Sequence, residues 1–152
     1  MSEVLFYHLE SARLENVLPG LLEKTLTNGW TAAVRCGDRN ALKRIDDALW
    51  LYRDDAFLPH GIATGGEIDA RQPILITDQI ASANDPDLLF LVEGAEAEAT
   101  SLTAFKRCVC IFDGGNEDAV EEARHFWKAV KAEKHDATYW RQNTDGKWEK
   151  QA

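Results

Sequence analysis

The sequence predicts a three-layer α/β fold with a mainly parallel sheet and an antiparallel hairpin at its carboxyl-terminal edge. Three observations lead there. Short runs rich in apolar, β-branched and aromatic residues recur along the 152 residues, as expected of strands buried on both faces. Stretches of helical periodicity fill most of the intervals between them. Near the end, Asp145-Gly146 lies between two segments of strand character, which is a strong hairpin signal.

The first strand is 4–9, Val-Leu-Phe-Tyr-His-Leu. Residues 13–28 read as a helix with Leu14, Leu18, Leu21, Leu22 and Leu26 on one face. Pro19 is expected to interrupt its first half or mark a restart, because proline costs about 3 kcal/mol inside a helix. Asn28-Gly29 stops it. A second strand covers 30–36. Asp38 is placed to cap a helix over 39–49 whose stripe is Leu42, Ile45 and Leu49. Residues 50–72 carry neither period, and a connection of that length inside a compact fold is usually functional or disordered. Strands follow at 73–77 and 87–92, then a brief helix at 101–107 and a strand at 108–112. A long helix spans 117–134, with Ala119, Ala123, Phe126, Val130 and Trp127 directed inward. Segments 136–142 and 147–150 form the terminal hairpin. With no repeat, low-complexity tract or linker, one domain over 1–152 is expected; the pattern does not give the strand order.

Composition narrows function. Hydrophobic residues make up 45% of the chain, enough to build a core. No apolar run approaches the roughly 18 residues of a membrane span, and the amino end lacks the regions of a signal peptide, so a cytoplasmic location is expected. A net charge of −9, from 17 basic and 26 acidic side chains, disfavours broad contact with nucleic acid. Cys36 and Cys110 read as buried core thiols, and with Cys108 they form no CxxC pair. The four histidines are scattered, so no metal or other cofactor is expected.

An active site is not visible. The turn after the first strand reads Glu10-Ser11-Ala12-Arg13, without the glycines that let a backbone approach a pyrophosphate. No phosphate loop and no nucleophile elbow occurs. Asp46-Asp47 reads as a solvated helix face and Asp54-Asp55 as a turn.

Two segments say more. The stretch from Trp50 through Phe57, Pro59 and His60 puts large aromatics outside regular structure. They either cap the core beneath the loop or present the rigid side chains that anchor interfaces. In the last helix, Arg124, Lys128 and, one position off the row, Lys131 lie near one another beside Trp127. They either complement the helix dipole or form a docking ridge for an acidic peptide with an apolar anchor.

Phe6-Tyr7, Leu49-Trp50, Phe57-Leu58-Pro59-His60, Gln72-Pro73-Ile74-Leu75-Ile76, Phe90-Leu91-Val92, Val109 to Asp113, Trp127-Lys128, Tyr139-Trp140 and Trp148-Glu149-Lys150 occur in one order. In these the chain resembles the chi subunit of bacterial DNA polymerase III, a clamp-loader accessory protein, over almost its whole length. The resemblance implies a Rossmann-like fold and a non-enzymatic bridge. Its partners would be the psi subunit of the clamp loader, or an equivalent, and the acidic, apolar-ended C-terminal tail of single-stranded-DNA-binding protein. DNA would be met only indirectly, and no membrane is implied. Phe57 and Pro59 match the psi-facing surface, with Trp50 and His60 as neighbours. Arg124 and Lys128 match the positions that take the tail. A third basic position is Val120 here, for which Lys131 is the candidate replacement. Two other readings compete: a Rossmann-like nucleotide-binding enzyme lacking the glycine-rich turn, and a single-stranded nucleic-acid binder using Tyr139, Trp140 and Trp148.

Overall fold

The computed structural model describes residues 2–52 and 57–152; the Asp54-Asp55 turn expected above lies outside them. β1 (Glu3–Leu9), β2 (Ala32–Cys36), β3 (Gly61–Ile62), β4 (Ile74–Thr77), β5 (Leu88–Val92), β6 (Arg107–Asp113), β7 (Asp136–Gln142) and β8 (Trp148–Lys150) form one sheet. Its order is β3-β4-β2-β5-β6-β1-β7-β8. Every pairing is parallel except β7 with β8. The predicted fold class is therefore observed. β7 continues the parallel sheet beside β1, so only β8 is the antiparallel edge.

Strand burial follows the residue pattern. β2, β4 and β5 are buried at every position, because helices or loops cover both faces of a parallel sheet. Alternation divides the core in two. Val34, Ile74, Phe90, Val109 and Ile111 pack with the helices α1 (Leu14–Thr27) and α2 (Ala41–Trp50). Val4, Phe6, Leu89, Leu91 and Cys108 pack on the other face with α3 (Glu117–Ala132) and the 3-10 turn Ala99–Ala104.

The helices differ in detail from their sequence patterns. α1 runs unbroken through Pro19, which is buried. The proline lies near the helix start, so the bond it forfeits is to the Glu15 carbonyl in the first turn, and its ring is covered by the core. The Gly29 N–H donates to Leu26 O (2.9 Å) and the Trp30 N–H to Thr25 O (3.1 Å), the paired bonds of a glycine-terminated helix. α2 begins at Ala41, not residue 39, because Asp38 closes a turn first: its carboxylate accepts from the Asn40 N–H at 2.9 Å. It also extends to Trp50, which belongs to the helix and not to the loop. In α3 the Asn116 side chain accepts from the N–H groups of Asp118 and Ala119 and satisfies two orphan donors.

The long connection contains β3 and a 3-10 turn, Glu67–Arg71. Asp69 organises it, its buried carboxylate accepting from the Thr64 and Gly65 N–H groups and the Thr64 hydroxyl. The helix expected at 101–107 is the 3-10 turn Ala99–Ala104, and Arg107 opens β6 instead.

Candidate functional site

Side-chain direction along the loop after α2 is set by one anchor. Leu58 is buried in the α1–α2 core, which turns the preceding Phe57 outward, 69% exposed. Trp50, on the last turn of α2, is 56% exposed and its neighbour Leu51 82%. The Trp50 and Phe57 rings lie 5.9 Å apart. Of the two readings of this segment, capping of the core therefore falls to Leu58, and the aromatics stand at the surface. Pro59 is half-buried.

His60 differs from its neighbours. Its side chain is fully buried, so it is not a surface contact but a brace beneath the patch. Its Nδ1–H donates to Leu58 O at 2.5 Å and its Nε2 lies 3.0 Å from Asp46 Oδ1. The imidazole packs 4.7 Å from Trp50 and ties the loop to α2. Asp46 is thus engaged inward, whereas Asp47 pairs with Lys43 along the helix at 2.9 Å.

The second patch rises from α3. Ala123 and Val130 are buried, and Trp127, half-buried, meets Phe6 edge-on at 5.2 Å and Tyr139 at 6.2 Å. On the flank beyond Trp127, Arg124, Lys128 and Lys131 are all exposed. Lys131 Nζ stands 5.5 Å from the centre of the Trp127 ring. Among the described residues, no carboxylate lies within ion-pair distance of these three cations. Val120, on the same flank one turn earlier, is half-buried.

Tyr139, which the sequence offers only as a tail aromatic, borders this ridge together with His8, Glu10 and Arg141, for which the sequence predicts no role. Tyr139 Oη and His8 Nδ1 are 2.5 Å apart, and His8 Nε2 is 3.1 Å from Glu10. Glu10 also binds Arg141 Nε. Burial holds the Tyr139 phenol above its ordinary pKa, while the charges of Arg141 and Arg124 pull it down. Burial pushes His8 below its ordinary value, against the field of Glu10. The strand period carried this signal, since it aligns Tyr139 and Arg141 with Phe6 and His8 once the β1–β7 register is known.

The competing readings meet a different geometry. Tyr139 faces α3, whereas Trp140 and Trp148 lie on the other face, where Trp148 packs 4.8 Å from Tyr7; the tail aromatics form no common stacking platform. A cleft does open at the carboxyl ends of β1, β2, β5 and β6, but nine carboxylates line it against three arginines, an unfavourable field for phosphates. Cys36 and Cys108 are buried and Cys110 half-buried. Burial pushes the Cys36 and Cys110 thiols up to about 12. Among the described residues no group of three or more His, Cys, Asp or Glu is placed to hold a metal. No helix among them is long and apolar enough to cross a membrane.

Known proteins resemble this chain over much of its length. Among curated proteins, the chain is 24% identical over 118 residues to a probable DNA polymerase III subunit chi of Rickettsia prowazekii, covering 74% of this chain and 71% of that one. It is 34% identical over 93 residues to the DNA polymerase III subunit chi of Pseudomonas aeruginosa, covering 59% of this chain and 63% of the other. The family described as DNA polymerase III chi subunit, HolC, matches residues 1–138, a span that holds both patches and ends three residues into β7. The chain belongs to the DNA polymerase III chi subunit family.

Proposed function

We propose that this protein is a non-catalytic adaptor of the replicative polymerase, joining the psi subunit of the clamp loader to the acidic C-terminal tail of single-stranded-DNA-binding protein. One observation carries the reading: two chemically different exposed patches sit on opposite faces of the sheet and toward opposite edges. The aromatic patch belongs to α2, which packs near β3 and β4; the cationic ridge belongs to α3, which packs on β6 and β7. Six strand spacings separate β3 from β7, roughly 29 Å at about 4.8 Å each. Two partners can therefore be held at once without contact between them.

The chemistry of each patch suits its partner. Trp50, Leu51 and Phe57 offer apolar area that leaves water on docking, the property of an interface hot spot, and Pro59 flanks them. Arg124 can grip a carboxylate through two parallel N–H···O bonds. Lys128 and Lys131 add charge without fixed geometry. Trp127 supplies an apolar wall for the side chain that ends the tail.

The test is a pair of titrations on one protein. Arg124→Ala weakens an acidic tail peptide at least tenfold, about 1.4 kcal/mol, which is within reach of a single charge-assisted bond, and leaves psi binding intact. Phe57→Ala does the reverse. If either variant lost both partners while folded, or neither, the two-patch adaptor would be refuted.

A further inference from the structure

The cationic ridge has a second bank. Strand alternation and the β1–β7 register put Ala137, Tyr139 and Arg141 on the face that α3 covers, opposite Val4, Phe6 and His8. Arg141 is exposed, level with His8 toward the carboxyl ends of the strands, and Tyr139 is half-buried between it and Trp127. Glu10 occupies the Nε edge of Arg141. A guanidinium has five N–H donors, and no other partner of Arg141 is found among the described residues. Its two Nη groups remain available. The charges of Arg141 and Arg124, one from the strand and one from the helix, both act on the same phenol.

We propose that Arg141 and Tyr139 on β7 form the second wall of the tail-binding site, so that an acidic peptide lies between α3 and β7 with carboxylates spanning Arg124 and Arg141. This rests on the tail-binding role proposed for α3. It also accounts for Val120: the cation missing from the helix is supplied from the neighbouring strand. His8 and Glu10 act as positioning residues. With a proton on Nε2 facing Glu10, His8 Nδ1 accepts from the Tyr139 hydroxyl, and the phenol's lone pairs turn toward the arginines. Glu10, Glu121 on α3 and, across the strand pair from Arg141, Glu149 are acids that oppose the incoming peptide here.

The experiment is fluorescence anisotropy on the full chain. The probe is a labelled peptide with three aspartates ahead of a C-terminal phenylalanine, and thermal melts confirm that each variant is folded. Arg141→Ala is expected to weaken binding about fivefold and to flatten the salt dependence, since it removes one exposed charge pair. Tyr139→Phe keeps the ring packing and is expected to weaken binding about threefold, because the phenol oxygen that would accept from and orient the arginine N–H groups is lost. Glu149→Gln is expected to tighten it about twofold by removing a repulsion. If Arg124→Ala weakens the peptide while Arg141→Ala and Tyr139→Phe bind like the unaltered protein, the second wall is overturned and the α3 site stands. If the unaltered protein fails to bind the peptide, both are overturned.

Discussion

Phe57→Ala separates an interface residue from a core residue more sharply than any other single change. The ring is 69% exposed, so only about a third of its surface contributes to folding. Full burial of a phenylalanine is worth about 1.5–3 kcal/mol; the share already buried amounts to roughly 0.5–1 kcal/mol, and this is the stability that truncation should cost. The exposed share, roughly 1–2 kcal/mol, is what a partner would gain by covering the ring. Loss of the paired Trp50 contact at 5.9 Å adds about 0.5–1.5 kcal/mol once water is excluded. Binding to psi should therefore weaken by about 2–3 kcal/mol, roughly 30- to 150-fold, while urea unfolding shifts by under about 1 kcal/mol. Trp50→Ala should behave alike, and the double variant should fall short of the sum because the rings share a contact. The assays are calorimetric titration with psi and equilibrium unfolding of the same samples. A stability loss above about 2 kcal/mol with binding unchanged would mean that Phe57 serves the fold, and the reasoning from exposure would be wrong.

Other expectations follow from buried groups. At pH 8, a thiol held near 12, as at Cys36 and Cys110, is thiolate in about one part in ten thousand, against about a quarter for an ordinary cysteine. Native-state alkylation should thus run about a thousandfold slower than in the unfolded chain; rapid labelling before unfolding would refute the burial. The folded state also holds these protons more tightly than the unfolded state, so this contribution to stability is intact below about pH 8.5 and is lost as pH rises toward 12. Gly114→Ala would put a Cβ 1.9 Å from His8 Nε2 and 2.7 Å from the Leu9 carbonyl; a cost of about 2–3 kcal/mol is expected in urea unfolding, and a neutral result would contradict the close approach. Arg35, buried in β2, donates to the carbonyls of Ile80 (2.8 Å) and Glu96 (2.9 Å). Arg35→Met should cost under about 2 kcal/mol, because lost bonds are offset by relief from burying a charge, and Arg35→Ala about 3 kcal/mol through its cavity. Equal losses would show that the bonds, not the packing, dominate.

The sheet was legible because its strands are short, apolar and separated mostly by helical or turn patterns, and the fold class follows from that alone. The strand order was not. It depends on which face each crossover takes, and the residue pattern is nearly indifferent to that when strands are buried on both sides. β3 escaped notice because two residues, Gly61 and Ile62, carry no period, and the strand exists only through its pairing with β4. Pro19 misled for a related reason: propensity weighs the lost bond but not the core that covers the ring. His60 was grouped with the exposed aromatics by proximity in sequence, whereas its partner is Asp46, fourteen positions earlier and one helix away.

The cationic ridge was legible for a reason that also bears on what it is for. Within a chain of net charge −9, a cation placed by stability alone should find an acid one helical turn away. The residues four before Arg124, Lys128 and Lys131 are instead Val120, Arg124 and Trp127. The Arg124–Lys128 spacing sets like charges one turn apart, at a cost of a few tenths of a kcal/mol. The acids of α3 are gathered in its first half, at Glu117, Asp118, Glu121 and Glu122, where they favour the helix start. Glu121, three residues before Arg124, makes no ion pair with it. The dipole accounts for Lys131 in the last turn; it does not account for Arg124, in the middle of the helix, where the terminal partial charges have faded. A guanidinium that stays unpaired at that position, although Glu121 lies one turn away, is better explained by a carboxylate that arrives from outside.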